Sequence, residues 1–452
     1  MSTDEVGLAE PPRIVRLIGA CDALDAASER LLFDRAEGFT GSGTDVGESV
    51  SRIIARVRRD GDRALRELAF ELDGVTLESL DVPRARWLGA LDALDPGVRR
   101  AMERSARNIE QVHRAFLPVA MTAESEPGVT VERRPHPLER VGVYAPGGRA
   151  AYPSSVLMGV VPARVAGVRD VIVCSPPTAG SGLPSPVVLA AAAMAGADRV
   201  LALGGAGAVA AMAYGTDTIA RVDRIVGPGN AYVAEAKTQE TSVVGIDSPA
   251  GPSELLVLCD DASDPVLVAR EMLAQAEHDP FAVVVAVTTT ETAARAIVSA
   301  LETQLPLQPR ASIARAALGA RGAVLWARGL DEAVAFANRH APEHLLLLAT
   351  NAEALLPGIR NAGTIFVGAA ASVAFGDYIT GANHVLPTGG LARIYSGLST
   401  NDFVRWTTYQ RVSPDAAARL AGDTGLFADA EGLGGHAIAA RSWMPTATSV
   451  GA

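Results

Sequence analysis

The stretch ELLVLCDDASDPVLVAREMLAQAEHDPFAVVVAVT, residues 254–288, decides the fold class. It begins and ends with short apolar runs rich in Val and Leu, which are typical of the buried strands of a parallel sheet. Between these runs, Asp264 and Pro265 mark the start of a helix that is predicted over residues 265–277. The stretch therefore predicts two parallel strands joined by a crossover helix.

The same alternation continues through most of the chain after about Arg140. The runs that predict strands are, in chain order, ERVGVYA, DVIVCSPP, DRVLALGG, DRIVGPGN, SELLVLCDD, FAVVVAV, GAVLWA, EHLLLLA and GTIFVG. Helical segments lie between them, and this alternation predicts parallel sheets covered by helices. Because the strands are too many for one simple sheet, we predict an α/β fold with two α/β domains.

The regions on either side are predicted to be mostly helical. Before Arg140, apolar residues recur at helical spacing over residues 53–68, with Gly61 as the expected break. A further helix is predicted over about residues 96–116. The residues after about Leu391 are predicted to form a separate helical tail.

The composition excludes several classes of partner. Apolar residues make up 48% of the chain and charged residues 20%, and the formal net charge is -11. An acidic chain is unsuited to nucleic acid or to an anionic membrane. The start of the sequence has no apolar segment typical of a secretory signal, and the three cysteines lie far apart, as in proteins of a reducing compartment. We therefore expect a cytoplasmic protein that binds neither nucleic acid nor membrane.

Gln275 and His278 are the first candidates for chemistry. They are three residues apart at the end of the helix predicted over 265–277, so they share one face of it. An amide oxygen and an imidazole at this place could bind a metal ion. The spacing alone also fits a polar, solvent-facing helix end, which is the commoner reason for such a pair.

Glu343 and His344 form a second candidate pair. They follow Pro342 and precede the apolar run Leu345–Leu348, which places them at the N-terminal end of a buried strand. Ligands of α/β proteins usually bind at the opposite end. Two adjacent bases could take one proton from an alcohol and another from water. A capping glutamate and a structural histidine would explain the same two residues.

The third candidate is GDYITGANHVLPTGG, residues 376–390, which contains Asp377 and His384. Its Gly, Thr and Asn residues predict an irregular segment, and a long polar loop inside a compact domain is usually functional. Near the end of the chain, EGLGGHAIAARSW contains Glu431 and His436. A histidine beside two glycines is equally typical of an ordinary surface.

Three glycine-rich turns follow predicted strands and could approach a cofactor. GAGAVA, residues 205–210, fits the G-x-G-x-x-A pattern of dinucleotide-binding turns, and VYAPGGR (143–149) and GPGN (227–230) also end strands. Each of them is explained equally well as a tight turn. The remaining polar candidates are interpreted as structural: His113 and His136 at the surface, His340 at a helix end, and Cys174 as a small buried residue.

Taken together, these segments resemble the histidinol dehydrogenase family. The strings that carry the resemblance are VGVYAPGG, SSVLM, GPGNAYV, EAK, AGPSE, AQAEH, PEHL, GDYITGANHVLPTGG and the late Glu–x4–His. They occur in the order of the family, from about residue 140 to residue 436. The resemblance implies two incomplete Rossmann-like parallel-sheet domains with a helical N-terminal region and a C-terminal helical tail.

The resemblance also implies an activity and its cofactors. It implies a zinc-containing, NAD-dependent alcohol and aldehyde oxidoreductase that converts L-histidinol through histidinal to L-histidine, the last steps of histidine biosynthesis. One zinc ion per subunit would be bound by Gln275, His278, Asp377 and His436. His344 would take the proton of the alcohol, and Glu343 would activate water. Tyr144 and Asn230 would contact NAD.

The substrate site implied by the resemblance is shared between two subunits of a homodimer. The late glutamate and histidine of the family come from the partner subunit. The implied substrate residues are Ser154, Ser253, Gln275, His278, His344, Asp377, His384, Glu431 and His436.

The expected domain organisation follows from these assignments. The Gly- and Pro-rich stretch IDSPAG, residues 246–251, is the expected boundary between the two α/β domains. The predicted parts are an N-terminal arm (1–30), a discontinuous domain with the zinc and catalytic residues (31–143 and 254–390), an NAD-contacting domain (144–253) and a tail that reaches the partner subunit (391–452).

One departure from the family keeps a second interpretation open. The family usually has GGAQA where this chain has GGAGA, so Gly207 replaces a glutamine that is expected to bind NAD. The alternative is a related zinc- and NAD-dependent dehydrogenase of another small alcohol, such as a sulfonated diol. A third hypothesis, a non-catalytic α/β binding protein, does not need Glu343, His344 and four metal ligands together.

Overall fold

The structure is a computed structural model that describes residues 14–35, 44–147 and 151–445. Within these residues the chain forms two compact units. The first contains the residues up to 116 together with 138–403, and the second contains residues 117–137 together with those from 404 onward.

The strands are β1 (Leu17–Ala20), β2 (Met121–Glu126), β3 (Val129–Pro137), β4 (Arg140–Tyr144), β5 (Asp170–Ser175), β6 (Arg199–Ala202), β7 (Arg224–Val226), β8 (Gly245–Ile246), β9 (Glu254–Leu258), β10 (Val283–Thr288), β11 (Gly322–Trp326), β12 (His344–Leu347), β13 (Thr364–Val367) and β14 (Val404–Val412). The helices are α1 (Ala26–Phe33), α2 (Thr44–Asp73), α3 (Arg84–Asp92), α4 (Pro96–Ala115), α5 (Pro153–Val165), α6 (Pro186–Ala195), α7 (Gly205–Tyr214), α8 (Ala231–Gln239), α9 (Pro265–Ala276), α10 (Glu291–Gln304), α11 (Ala311–Arg321), α12 (Leu330–His340), α13 (Ala352–Leu355), α14 (Val373–Tyr378), α15 (Pro414–Ala430) and α16 (Gly434–Arg441).

The first unit contains a six-stranded parallel sheet in the order β1-β11-β10-β9-β12-β13. Its central strand, β9, is apolar on both faces after its first residue. Leu255 and Val257 join the core on one side, and Leu256 and Leu258 join the core on the other. Burial on both faces explains why this strand is a continuous apolar run rather than an alternating one.

A five-stranded parallel sheet, in the order β6-β5-β4-β7-β8, lies in the same unit. The strand order reverses at β4 here, and at β9 in the six-stranded sheet, as it does in doubly wound α/β folds. All nine predicted apolar runs contain a strand. The predicted fold class is therefore confirmed. The chain leaves the five-stranded sheet after β8 and enters the six-stranded sheet at β9.

The predicted break at Gly61 is confirmed, because this glycine has φ 54° and interrupts the helical conformation within α2. The prediction that the region before Arg140 is mostly helical missed three strands, β1, β2 and β3. The tail also contains a strand, β14, before its two α-helices.

The second unit is built on an antiparallel sheet in the order β14-β3-β2. Strand β2 is exposed along its whole length, and β3 carries three consecutive charged residues, Glu132 to Arg134, so neither resembles an apolar buried strand. Strand β3 pairs with β14, about 270 residues later in the chain, which no local pattern reveals. None of the described helices is both long enough and apolar enough to cross a membrane.

Candidate active site

Glu343 and His344 lie where β12 begins, next to the beginning of β9. The chain enters β12 through a tight turn in which Ala341, with φ 49°, is the one non-glycine residue of left-handed conformation in the described part of the chain. Both side chains are buried, with exposed fractions of 7% for Glu343 and 5% for His344. Strained backbone and buried ionisable groups are typical of functional sites. The predicted position at the N-terminal end of the strand is thus observed.

Glu254, the first residue of β9, holds both side chains through its backbone. Its N–H donates to Oε2 of Glu343 at 2.7 Å, and its carbonyl accepts from Nδ1 of His344 at 2.9 Å. A carbonyl oxygen can only accept, so Nδ1 carries the hydrogen of the neutral imidazole. In this neutral form Nε2 of His344 is an acceptor, and it has no hydrogen-bond partner among the described residues.

The charges of the pair are coupled. Burial lowers the pKa of His344, but the carboxylates of Glu343 and Asp377 outweigh burial and raise it to about 9. Burial also raises the pKa of Glu343, because it disfavours the carboxylate form. His344 therefore holds its proton more tightly than an ordinary histidine does.

Asp377 brings the third candidate segment to this pair. One oxygen, Oδ1, lies 3.7 Å from Nε2 of His344, and the other, Oδ2, lies 4.0 Å from Nε2 of His278. The carbonyl of Asp377 accepts from Nδ1 of His384 at 2.9 Å. Burial lowers the pKa of His384, against the opposing effect of Asp377. The structure thus gathers Glu343, His344, His278, Asp377 and His384.

The segment that carries Asp377 is more regular than predicted. Asp377 lies in the short helix α14, and only the residues after it are irregular. The irregular part is anchored to other segments of the first unit at two places. Nδ2 of Asn383 donates to the carbonyl of Met158 in α5, and Oγ1 of Thr388 accepts from the N–H of Gly251. These contacts restrict the segment although it has no regular hydrogen bonding.

The residues implied as zinc ligands can be tested against this geometry. No group of three or more His, Cys, Asp or Glu side chains suited to a metal occurs in the described ranges. The implied set has only two such side chains in the first unit, His278 and Asp377. Their 4.0 Å separation is slightly more than the roughly 3.4 Å expected for two ligands ~2.1 Å from one tetrahedral ion. Imidazole and carboxylate donors at this spacing fit zinc.

Gln275 and His278 lie at the end of α9, as predicted. Gln275 is buried in the last turn of the helix, whereas His278 follows the helix and is one-third exposed. Burial of Gln275 argues against the interpretation of this pair as a solvent-facing helix end. The two serines implied as substrate residues are half-buried. Ser154 lies in the first turn of α5, and Ser253 directly precedes Glu254.

Glu431 and His436 lie in the second unit. Glu431 directly follows α15 and His436 lies in α16, and both are exposed. The other implied site residues belong to the first unit. The assignment of this pair to a partner's site remains a prediction.

Tyr144 and Asn230 lie at the carboxyl edge of the five-stranded sheet, around the point where its strand order reverses. The Tyr144 hydroxyl accepts from the N–H of Gly205 at 3.1 Å, and burial raises its pKa to about 12. Asn230 is exposed and caps α8 by accepting from the N–H groups of Tyr232 and Val233. This edge, with its helix N-termini, is where doubly wound sheets bind nucleotides.

Gly207 lies inside α7 and is buried. A Cβ atom at this position would lie 3.2 Å from Cδ1 of Leu68 and 3.6 Å from Cδ2 of Leu65, both in α2. The position where the family usually has glutamine therefore lies at a close contact between α7 and α2 in this chain. Position 207 contributes to packing in this chain.

Sequence reasoning missed a buried network behind the Glu343–His344 pair. The guanidinium of Arg35 forms two hydrogen bonds with the carboxylate of Glu254, at 2.9 and 3.0 Å, and a third contact with Nδ1 of His340 at 2.9 Å. The Glu254 carboxylate also accepts from the N–H of Gly389. A glutamate at the start of an otherwise apolar strand is the one local signal of this network.

Two histidines were placed wrongly by sequence reasoning. His340 does end a helix, but it is fully buried in the network with Arg35 rather than being a simple cap. His113 was expected at the surface and is 2% exposed, with Nδ1 bonded to the carbonyl of Ile109. His136 is half-buried. Cys174 is fully buried as expected, and burial raises its pKa to about 12.

Two doubly wound sheets and a buried pair of proton-accepting groups define the chain as an α/β enzyme. The family model described as histidinol dehydrogenase matches residues 40–443. A histidinol dehydrogenase of Methanothermobacter thermautotrophicus is 47% identical over 87% of this chain and 92% of its own length. That of Halobacterium salinarum is 49% identical over 91% and 96%. The chain therefore belongs to the histidinol dehydrogenase family, and it is an oxidoreductase.

A solved structure agrees with this assignment. The crystal structure of histidinol dehydrogenase from Elizabethkingia anophelis superposes with a TM-score of 0.90 at 33% identity, covering 95% of this chain and 98% of that one. The predicted recognition of the family is confirmed.

Proposed function

We propose that this chain oxidises L-histidinol through histidinal to L-histidine with NAD and one zinc ion per subunit, as the last steps of histidine biosynthesis in the cytoplasm. The observation that carries the proposal is the state of His344. Its Nδ1 is fixed by the carbonyl of Glu254, and its buried Nε2 has no partner among the described residues. A buried, oriented acceptor is what a general base requires. The names of the relatives support histidinol over another small alcohol.

His344 acts in the first oxidation. Its Nε2 takes the hydroxyl proton of the alcohol as the hydride leaves the neighbouring carbon. Because Nδ1 is already bonded to Glu254, the resulting imidazolium keeps the orientation of the ring. The nearby carboxylates of Glu343 and Asp377 stabilise its positive charge.

Glu343 acts in the second oxidation. The aldehyde must be hydrated before a second hydride can leave, so a water molecule must lose a proton to a base. Oε2 of Glu343 is held by the N–H of Glu254 and lies 3.4 Å from Nδ1 of His344. The carboxylate takes this proton while the water oxygen bonds to the aldehyde carbon, and the π electron pair of the C=O bond moves to the carbonyl oxygen.

Zinc, when bound, supplies a template that fixes an imidazole- and amine-bearing substrate through direct coordination. Gln275, His278 and Asp377 would hold it together with His436 of the partner subunit. Asp377 would place the zinc ion next to the base, because one of its carboxylate oxygens faces His278 and the other faces His344. The homodimer is part of the proposal, since Glu431 and His436 lie in the second unit.

The remaining residues bind and orient the reactants. NAD, when bound, supplies the hydride acceptor, and Tyr144 and Asn230 would contact it at the carboxyl edge of the five-stranded sheet. Ser253 lies directly before Glu254, so it shares an edge of the six-stranded sheet with His344. The residues proposed to line the substrate site are Ser154, Ser253, Gln275, His278, His344, Asp377, His384, Glu431 and His436.

The purified protein provides a direct test. We expect two NADH per histidinol and rapid NADH formation from added histidinal. The controls are small alcohols without an imidazole, including a sulfonated diol. Faster turnover of one of these alcohols, with little or no NADH from histidinol, would contradict the proposal.

A further inference from the structure

Lys237 is the only lysine in the sequence. The chain contains 40 lysine and arginine residues, and all the others are arginine. Lys237 is also buried, with an exposed side-chain fraction of 3%. A chain that otherwise uses arginine for every positive charge keeps lysine at one enclosed position, which suggests that arginine cannot serve there.

The ammonium group of Lys237 binds the turn that follows β7. Nζ donates to the carbonyl of Gly227 at 3.1 Å and forms an ion pair with Oδ1 of Asp247. The other oxygen of Asp247 accepts from the N–H of the same glycine at 2.8 Å. The two side chains of the ion pair therefore bind both the N–H and the carbonyl of Gly227.

The size of the site explains the choice of lysine. The side chain of Asp247 is 5% exposed, so the pair is enclosed on both sides. An ammonium is a compact donor, whereas a guanidinium is planar and wider and has five N–H groups to satisfy. Arginine would have to displace Gly227 or Asp247.

Gly227 lies next to both residues that are proposed to contact NAD: it packs against Tyr144 and precedes Asn230 by three residues. It has φ 110°, and a Cβ atom there would lie 2.2 Å from the carbonyl oxygen of Tyr144. The turn is thus pressed against the backbone of Tyr144. Three residues further on, Asn230 caps α8, the helix that also carries Lys237. The side chain of Lys237 therefore extends from α8 back to the turn that precedes this helix.

We infer that Lys237 and Asp247 are a positioning pair that holds the turn at Gly227–Asn230 in the geometry that NAD requires. The inference rests on the proposed function for the contact with NAD. The pair holds Gly227 in place, and Gly227 sets Tyr144 and Asn230 at a fixed distance from each other. Neither side chain of the pair needs to touch the cofactor.

The test compares four variants of the full-length protein. Lys237→Met removes the charge at similar length, Lys237→Arg keeps the charge with a wider group, and Lys237→Met/Asp247→Asn removes both charges. The control is Arg199→Met, which breaks a more exposed ion pair of the same sheet, between Arg199 at the start of β6 and Asp81. The affinity for NADH is measured by fluorescence titration, and KM is measured separately for NAD and for histidinol.

We expect roughly 10- to 100-fold weaker NADH binding for all three Lys237 variants, with the KM for histidinol changed by less than about threefold. Arg199→Met should leave both values within about threefold. If Lys237→Met does not fold, the double variant decides, because it leaves no unpaired buried charge. NADH affinity within about threefold of wild type in the folded variants would overturn the inference.

Asn230→Ala separates this inference from the proposed function. If it leaves the NADH affinity unchanged while the Lys237 variants weaken it, the proposed contact of Asn230 is wrong and the positioning role of Lys237 stands. If Asn230→Ala weakens binding and the Lys237 variants do not, the contact stands and the positioning role is overturned.

Discussion

Nδ1 of His344 and the backbone carbonyl of Glu254 lie 2.9 Å apart, and this hydrogen bond determines which nitrogen of the base is free. The backbone N–H of the same Glu254 binds Glu343. One residue of a neighbouring strand therefore orients both groups of the pair. Its own side chain is held by Arg35, so the orientation of the pair depends on a buried ion pair outside the site.

We expect Arg35→Met to destabilise the protein strongly. The side chains of Arg35 and Glu254 are 1% and 3% exposed, so the variant leaves a buried carboxylate without its cation. Breaking a buried ion pair from one side costs about 3–5 kcal/mol. The free energy of unfolding is measured by urea denaturation.

The control for this prediction is Arg295→Met, which breaks the exposed pair with Glu291 one helical turn away. Exposed pairs contribute about 1 kcal/mol or less. Equal effects of the two substitutions on the free energy of unfolding would show that Arg35 is not needed to compensate Glu254.

Local sequence patterns were sufficient for the parallel sheets. A strand such as β9 is apolar on both faces, and Asp264 and Pro265 mark the helix after it. The antiparallel sheet was missed because β2 is exposed along its length and β3 pairs with a strand at the other end of the chain. Its stability depends on long-range pairing, which is invisible in a window of a few residues.

In the candidate site, too, residues with a local sequence signal were predicted and residues that depend on long-range contacts were missed. The Glu343–His344 pair stood out because two ionisable residues directly precede an apolar run, and the Asp377 segment stood out because it is long, polar and rich in glycine. Arg35 gave no such signal, because its partner Glu254 is 219 residues away. Burial of His113 was likewise missed, since Glu110 and Arg114 lie close to it in sequence and only its position in the fold encloses it.

Activity should rise with pH up to about pH 9. Only neutral imidazole accepts a proton, and the carboxylates of Glu343 and Asp377 raise the pKa of His344 to about 9 against the effect of burial. Glu343→Gln removes the strongest of these raising effects. The rising part of the pH profile for the first oxidation should therefore move to lower pH. An unchanged profile would show that Glu343 does not influence the charge of His344.

His278→Ala should lower the zinc content and abolish most of the activity, because one of four proposed ligands is lost. Zinc is measured by elemental analysis of the purified protein, and activity as NADH formed from histidinol. His136→Ala is the control, since His136 contacts Tyr409 in the second unit and is not a proposed ligand. Full activity of the wild type after exhaustive chelation would refute the metal assignment.

Mixed dimers should recover activity if the active sites are shared. His278→Ala removes a ligand on the first unit, and His436→Ala removes one on the second. In a heterodimer of these variants, one site has both defects and the other has none. We expect up to about half of the wild-type activity per dimer, measured after co-expression with two affinity tags. Inactive, verified heterodimers would mean that each subunit builds its own site.

The two catalytic neighbours should fail differently when they are replaced. His344→Asn removes the base that takes the alcohol proton, so NADH formation from histidinol should fall by roughly 10²–10⁴-fold. Glu343→Gln keeps the acceptor for the N–H of Glu254 but loses the carboxylate that activates water. It should largely spare the first hydride transfer and slow the oxidation of added histidinal. Single-turnover NADH formation is measured for each variant with histidinol and, separately, with histidinal. Equal losses on both substrates for both variants would refute this division of labour while leaving the family assignment intact.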